Sequence, residues 1–209
     1  MDREGTDRES MDRAIAALTR AVERLARLIA LAGGLVLCAL VLLTCLSIAG
    51  RSLGTVLNGD AVQAIAPGLA DRLLALGVGS IKGDFELVEA GMAFAIFAFL
   101  PLCQLRGGHA SVDLFVARLP PRGRAVLRAV IETVFALVLV LIAWQLLGGT
   151  LSRLRTGQTT FLLEFPLWWA FAASLFGAAT TALVAIYVAG VRIAEAVTGR
   201  TLLAVGATP

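Results

Sequence analysis

A single histidine in 209 residues sets the first boundary on what this chain does. Bis-histidine haem needs two, and an HxxxH or HExxH metal site has no material here. The three cysteines, Cys38, Cys45 and Cys103, fall inside apolar stretches with no CxxC spacing. A disulfide framework is therefore not expected, and the thiols read as small buried hydrophobes. No GxGxxG and no Walker sequence occurs, which leaves dinucleotide chemistry and ATP hydrolysis without a phosphate cradle. Ser174, Thr180, Thr181 and Gln145 are scattered, with no basic partner in the same stretch to make a nucleophile of a hydroxyl. No catalytic residue, cofactor or metal is expected.

Charge is also scarce. Charged residues make up 16% of the chain and hydrophobic ones 58%, which argues against a soluble globular domain. The net charge of +3 comes with arginines that flank apolar stretches, and no basic motif interleaved with aromatics is present, so nucleic acid is not an expected partner.

What the chain has instead is four windows without any charge: Leu28 to Gly50, Ala90 to Leu105, Thr133 to Ser152 and Phe165 to Val191. A bilayer offers no water to unpaired backbone groups, so these windows predict helices, which satisfy every N–H and C=O internally. The expected fold is all-α and integral to the membrane, with spans at about 28–50, 87–105, 129–151 and 166–191 inside a domain covering 28–192. The first window starts too late and runs too long for a signal peptide and is expected to anchor the chain.

Residues 1–10 are polar and balanced in charge, and disorder is expected there. From Met11 the positions Met11, Ile15, Leu18, Val22 and Leu25 recur at spacings of four and three, predicting an amphipathic helix within residues 1–27. It would lie along the membrane surface or dock on a partner as an overhang. The segment 52–83 is long for a connection between helices. Within it Val62, Ile65, Leu69, Leu73 and Leu76 form a second helical stripe, with Pro67-Gly68 permitting a break near its middle. That stripe would cover another protein or rest on lipid.

The second span carries the polar groups of most interest. Glu86 and Glu89, three apart, share a helix face at its mouth, and Gly91, Ala95 and Ala98 form a separate strip of small residues. Carboxylates near membrane depth sometimes mark ion paths, but at a mouth, where water and snorkelling reduce their cost, a structural or partner-docking role is the plainer reading. Pro101 lies near the far end, before the corner Arg106-Gly107-Gly108-His109. Asp113 stands four residues beyond His109, so the two would cap or clamp the turn; partner contact is the next reading, and proton transfer or metal binding the last. In the fourth span Ala170-Ser174-Ala178-Ala182 and Ala173-Gly177-Thr181-Ala185-Ala189 make two ladders of small residues, which let one helix meet neighbours on two sides.

Basic residues set the expected orientation. Thirteen lie in the N-terminal region, the corner around Arg106–Arg128 and the tail from Arg192, against five in the other connections and at Arg51. Both termini, including the tail 193–209, are therefore expected in the cytoplasm, with Glu86 and Glu89 on the outer side and His109 and Asp113 on the inner.

The acidic opening GDFELVEAG, the apolar helix closing in PLCQLRGGH and the following ASVDLF resemble the small membrane subunit, DctQ-like, of tripartite ATP-independent periplasmic (TRAP) transporters. In that resemblance Glu86 matches the acid opening the second helix, His109 the histidine after the charged corner and Asp113 the acid that follows. Arg51 matches an arginine just after the first helix. The resemblance spans roughly residues 25–192. It implies a non-catalytic subunit of the bacterial inner membrane that braces a large multi-span, elevator-type subunit carrying the substrate and sodium sites. It further implies a periplasmic solute-binding protein that delivers an organic anion, often a carboxylate. The outer segment 52–83 is longer than the link usual in this family. Gly33, Gly34, Gly91 and Ala95 are expected at packed contacts among lipid and helices, and Arg51, Glu86 and Glu89 at the outer rim. A stand-alone small carrier or assembly factor, and a redox-enzyme anchor, are the competing readings.

Overall fold

Helix α1 runs without interruption from Asp2–Leu57, which at 1.5 Å per residue is a rod about 84 Å long. The computed structural model describes residues 2–65, 67–75, 77, 79–108 and 120–198, with side chains at all of these except 2–15, 61, 67 and 121. His109 and Asp113, and the clamp expected of them, lie outside the described residues. Three expectations change along α1. Residues 2–10 are helical and not disordered, the amphipathic stretch continues into the apolar one with no turn between them, and Arg51 sits inside the helix instead of after it. The physical reason is shared: from residue 2 to Leu57 the sequence contains no proline, so nothing removes a helical N–H, and good helix formers fill the junction around Arg24–Leu28.

The long connection holds two short helices, α2 (Asp60–Ile65) and α3 (Pro67–Ala75). The division falls at Pro67, which opens α3, as suits a residue with no N–H to offer the preceding turn. The connection is tied back onto α1, because Gly50 meets the backbone carbonyl of Gly79 so closely that a β-carbon there would overlap it.

Helix α4 (Asp84–Arg106) begins after Gly83 and ends at Gly107, both with positive φ. At the Gly107 end the N–H groups of Gly107 and Gly108 return to Gln104 O and Cys103 O, closing carbonyls the helix leaves open. Helix α5 (Pro121–Thr156) starts on a proline and stops at Gly157, φ 60°. Helix α6 (Trp168–Thr198) starts two residues later than Pro166, because Pro166 pairs with Thr159 across the α5–α6 connection.

Four of these helices are long and apolar enough to cross a membrane: Ala16–Leu57 of α1, α4, Arg122–Thr156 of α5, and α6. They do not close into a ring. Helix α1 packs along α4, α4 along α6 and α6 along α5, giving an open layer in the order α1, α4, α6, α5. Half of the α6 apolar window is buried, against 17% for each of the others, so α6 is the interior helix of the layer. Its ladders explain why. Gly177 and Thr181 meet Phe97 of α4, while Ala185 and Ala189 pack with Ala136 and Leu139 of α5 and with Leu100 of α4. Leu105, Val184 and Val188 form a second cluster with Val22 of α1 and Tyr187. Small residues dominate these seams because apolar side chains gain nothing from leaving lipid for one another. Close backbone approach and interhelical hydrogen bonds must hold the layer instead.

Candidate functional site

The seam between α1 and α4 is built on two glycines. A methyl group at Gly33 would stand 2.6 Å from Ala98 Cβ, and one at Gly91 would stand 2.8 Å from Leu40 Cδ1. Ala95 and Ala98 are both buried against this seam. Gly34, one residue on, faces more open space, with Phe99 at 4.0 Å.

The seam between α4 and α6 turns on a proline. Pro101 lies inside α4 and is fully buried. Having no N–H, it leaves the carbonyl of Phe97, four residues back, without its helical donor. Thr181 of α6 supplies the replacement: its hydroxyl lies 3.2 Å from Phe97 O and 2.8 Å from its own Gly177 O, donating between the two. Pro101 does not break α4 because a neighbouring helix completes the ladder.

Polar groups collect at both ends of the apolar layer. At the Arg106 end, Gln104 donates to Glu132 of α5, Arg192 pairs with Glu195 at 2.8 Å, and Thr19 of α1 bonds Tyr187 of α6 at 2.5 Å. Gln104 and Glu195 are both buried. Two of these pairs cross between helices, α4 to α5 and α1 to α6, while Arg192–Glu195 lies within α6.

The Asp84 end holds the residues singled out in the sequence. Asp84 accepts from the buried Ser47 hydroxyl of α1 and from Phe85 N–H at 2.8 Å, and Arg51 Nη2 approaches it at 4.0 Å. Arg51 is thus placed by the α1–α4 contact. Glu86 reaches across to the α5–α6 connection, where Oε1 accepts the N–H of Leu162 at 2.6 Å and Oε2 that of Leu163 at 3.0 Å. That connection is a small closed loop. Thr160 N–H bonds Phe165 O and Leu167 N–H bonds Gln158 O, Glu164 adopts φ 54°, and Phe161 stands 92% exposed at the tip. One carboxylate thereby neutralises the orphan donors of a turn 76 residues away in sequence.

Glu89, one turn further along α4, makes no such bond. It stands at the mouth of a cavity of about 430 Å³ between α4, α5, α6 and the loop, with Phe97, Phe165 and Phe171 in its walls and Ser174 in its lining. Arg153 lies behind this wall, its guanidinium 5.6 Å over the Phe171 ring. Glu86 and Glu89 share a helix face as expected from their spacing, but one is consumed by the loop and the other faces the cavity. Neither the loop clamp nor the cavity has a signal in the sequence. The Phe97 carbonyl could have been located, since a proline inside a helix always frees the carbonyl four residues back.

Among the described residues no three His, Cys, Asp or Glu side chains gather where a metal could be held. Cys38 and Cys45 are exposed on α1, contrary to the buried thiols expected there, and Cys103 is half-buried; none of the three is in a disulfide. The fold and its polar ends define the class: an all-helical protein with four membrane-length helices whose polar groups join helix to helix and turn to helix. Comparison with curated proteins and with solved structures returned no match. The chain belongs to the family described as Tripartite ATP-independent periplasmic transporters, DctQ component, whose model matches residues 72–196. That stretch contains α4, α5 and all but the last two residues of α6, the seam at Phe97 and both ends of the Glu86 clamp, whereas Gly33 and Arg51 precede it. Membership makes the protein a small component of a TRAP transporter, a system that includes a large membrane subunit and a binding protein.

Proposed function

We propose that this chain is a non-catalytic scaffold that braces the large, elevator-type subunit of a sodium-gradient-driven transporter for an organic carboxylate and helps dock its periplasmic binding protein. The chain would sit in the bacterial inner membrane with both termini in the cytoplasm, which places the Asp84 end outward. Among the three parts of such a transporter, the family assigns this chain to the small membrane component, and the open layer of helices carries the bracing role. A closed bundle packs one face of every helix inward, whereas a layer leaves both of its sides open. This layer leaves Leu35 and Leu42 of α1 and Trp144 of α5 at 70% exposure or more, a broad surface for lipid and for a larger membrane partner.

At the outward end, the clamped loop presents Phe161, and the connection, which starts at 58 and not at 52 because α1 continues to Leu57, is fastened to α1 through Gly50 and Gly79. Arg51, Glu86 and Glu89 lie in the same region, and we assign docking of the binding protein to it. His109 and Asp113 are assigned to clamping the inward turn. The reading is tested by purifying the tagged chain in mild detergent and identifying what remains bound. A large multi-span membrane protein at equal stoichiometry is expected. A chain that runs alone under several gentle conditions and transports by itself when reconstituted would instead make it a stand-alone carrier. Removing residues 60–76 separates the two surfaces: assembly with the large subunit should survive, and binding-protein docking should fall.

A further inference from the structure

Among the described residues, Ser174 Oγ is a buried side-chain polar atom with no hydrogen-bond partner, and Ser174 lines the cavity beside Glu89, where the Thr160 hydroxyl faces the Glu86 carboxylate. Buried hydroxyls are seldom left unbonded, because the loss of water costs about 1–3 kcal/mol when nothing replaces it. Other helical hydroxyls return to the carbonyl four residues back, as at Thr44, Thr133, Thr150, Thr180 and Thr198, or bond across to a neighbouring helix, as at Ser47 and Thr19. Ser174, only 3% exposed, does neither.

The charge of the cavity selects its occupant. Its lining includes two carboxylates and no basic residue, with the Arg153 guanidinium behind the Phe171 ring, so the lining itself favours a cation over an organic anion. Glu86 is committed to Leu162 and Leu163, which leaves Glu89 as the available carboxylate. Phenylalanine side chains at positions 97, 165 and 171 suit an apolar body, and an aromatic wall also tolerates a cation, as the Arg153 guanidinium over Phe171 illustrates. The volume lies within the range of small-molecule pockets.

We propose that this cavity is a binding site for an amphiphile with an ammonium head. The ammonium pairs with Glu89, the apolar body lies along the phenylalanine side chains, and a polar group further along takes the Ser174 hydroxyl. An ethanolamine-headed membrane lipid and a free long-chain amine both carry this chemistry.

The full chain is placed in nanodiscs of phosphatidylglycerol with or without phosphatidylethanolamine, and retained lipid is read by native mass spectrometry. In a second arm dodecylamine is titrated into phosphatidylglycerol discs and its thermal stabilisation measured, with dodecanol as the uncharged reference. Retained phosphatidylethanolamine that is lost in Glu89→Gln identifies the lipid source. Stabilisation by dodecylamine alone, with apparent affinity about tenfold weaker in Glu89→Gln, identifies a free amine, the tenfold corresponding to one lost charge-assisted contact. Ser174→Ala should weaken either ligand without altering the preference for a charged head. Because Glu89 is exposed, its replacement leaves the fold unaffected. Equal effects of dodecylamine and dodecanol, or equal effects in wild type and Glu89→Gln, would overturn the proposal. So would binding that vanishes on assembly with the large subunit, since the cavity would then belong to a basic side chain of that partner.

Discussion

If Thr181 completes the α4 ladder at Phe97, its value to the protein must depend on Pro101. Thr181→Val keeps the shape of the side chain and removes the hydroxyl. The carbonyl of Gly177 loses little, because within α6 it also receives the N–H of residue 181. Phe97 O, by contrast, is left in an apolar seam with no donor. An unsatisfied buried group costs about 1–3 kcal/mol in water-soluble proteins, and interhelical hydrogen bonds in membranes have measured about 0.6 kcal/mol on average and up to about 1.7. Since the alternative here is an orphan carbonyl, the upper part of the membrane range applies, about 1–1.5 kcal/mol. Pro101→Ala restores the N–H that α4 lacks, so in that background Thr181→Val should cost less than about 0.5 kcal/mol.

The measurement is a double-mutant cycle on the purified chain, unfolded by dodecyl sulfate titration in mixed micelles and followed by far-ultraviolet circular dichroism. The expected coupling is about 1 kcal/mol, a roughly fivefold difference in the folding equilibrium. Thr180→Val is the control, because its hydroxyl returns to Phe176 O at 2.8 Å, a carbonyl that has its helical donor, and it should cost little in either background. Additive costs for Thr181→Val and Pro101→Ala, within about 0.5 kcal/mol, would refute the argument that the threonine serves the proline.

Two further outcomes follow from the seams and the clamp. Gly33→Ala places a β-carbon 2.6 Å from Ala98 Cβ and should destabilise the α1–α4 pair by about 1–3 kcal/mol, and Ala98→Gly in the same chain should recover most of it; no recovery would place the strain elsewhere. Glu86→Ala frees the N–H groups of Leu162 and Leu163, so limited proteolysis at residues 161–164 should accelerate several-fold while the four long helices persist by circular dichroism; an unchanged cleavage rate would mean the loop holds itself. Together with Glu89→Ala, the same change should weaken binding-protein docking without abolishing membrane insertion, measured by transport and by membrane fractionation.

The four apolar windows determined the number and type of the long helices, because in a bilayer no other open structure satisfies the backbone. The small-residue ladders of α6 and the strip at Gly91, Ala95 and Ala98 likewise marked packing faces in advance. Helix ends were less legible, as α1 shows, since charged residues can remain helical well past the apolar window that identifies a span. Which face meets which was not legible at all. Spacing places Glu86 and Glu89 together, yet it does not say that a turn 76 residues later brings two N–H groups to one of them and a cavity to the other. Pro101 announced a free carbonyl, and only the packing of α6 on α4 decided that Thr181 would answer it. Local periodicity is a property of one helix, and the partners of a polar group depend on the order in which helices lie side by side. In this chain that order, α1, α4, α6, α5, differs from their order in sequence.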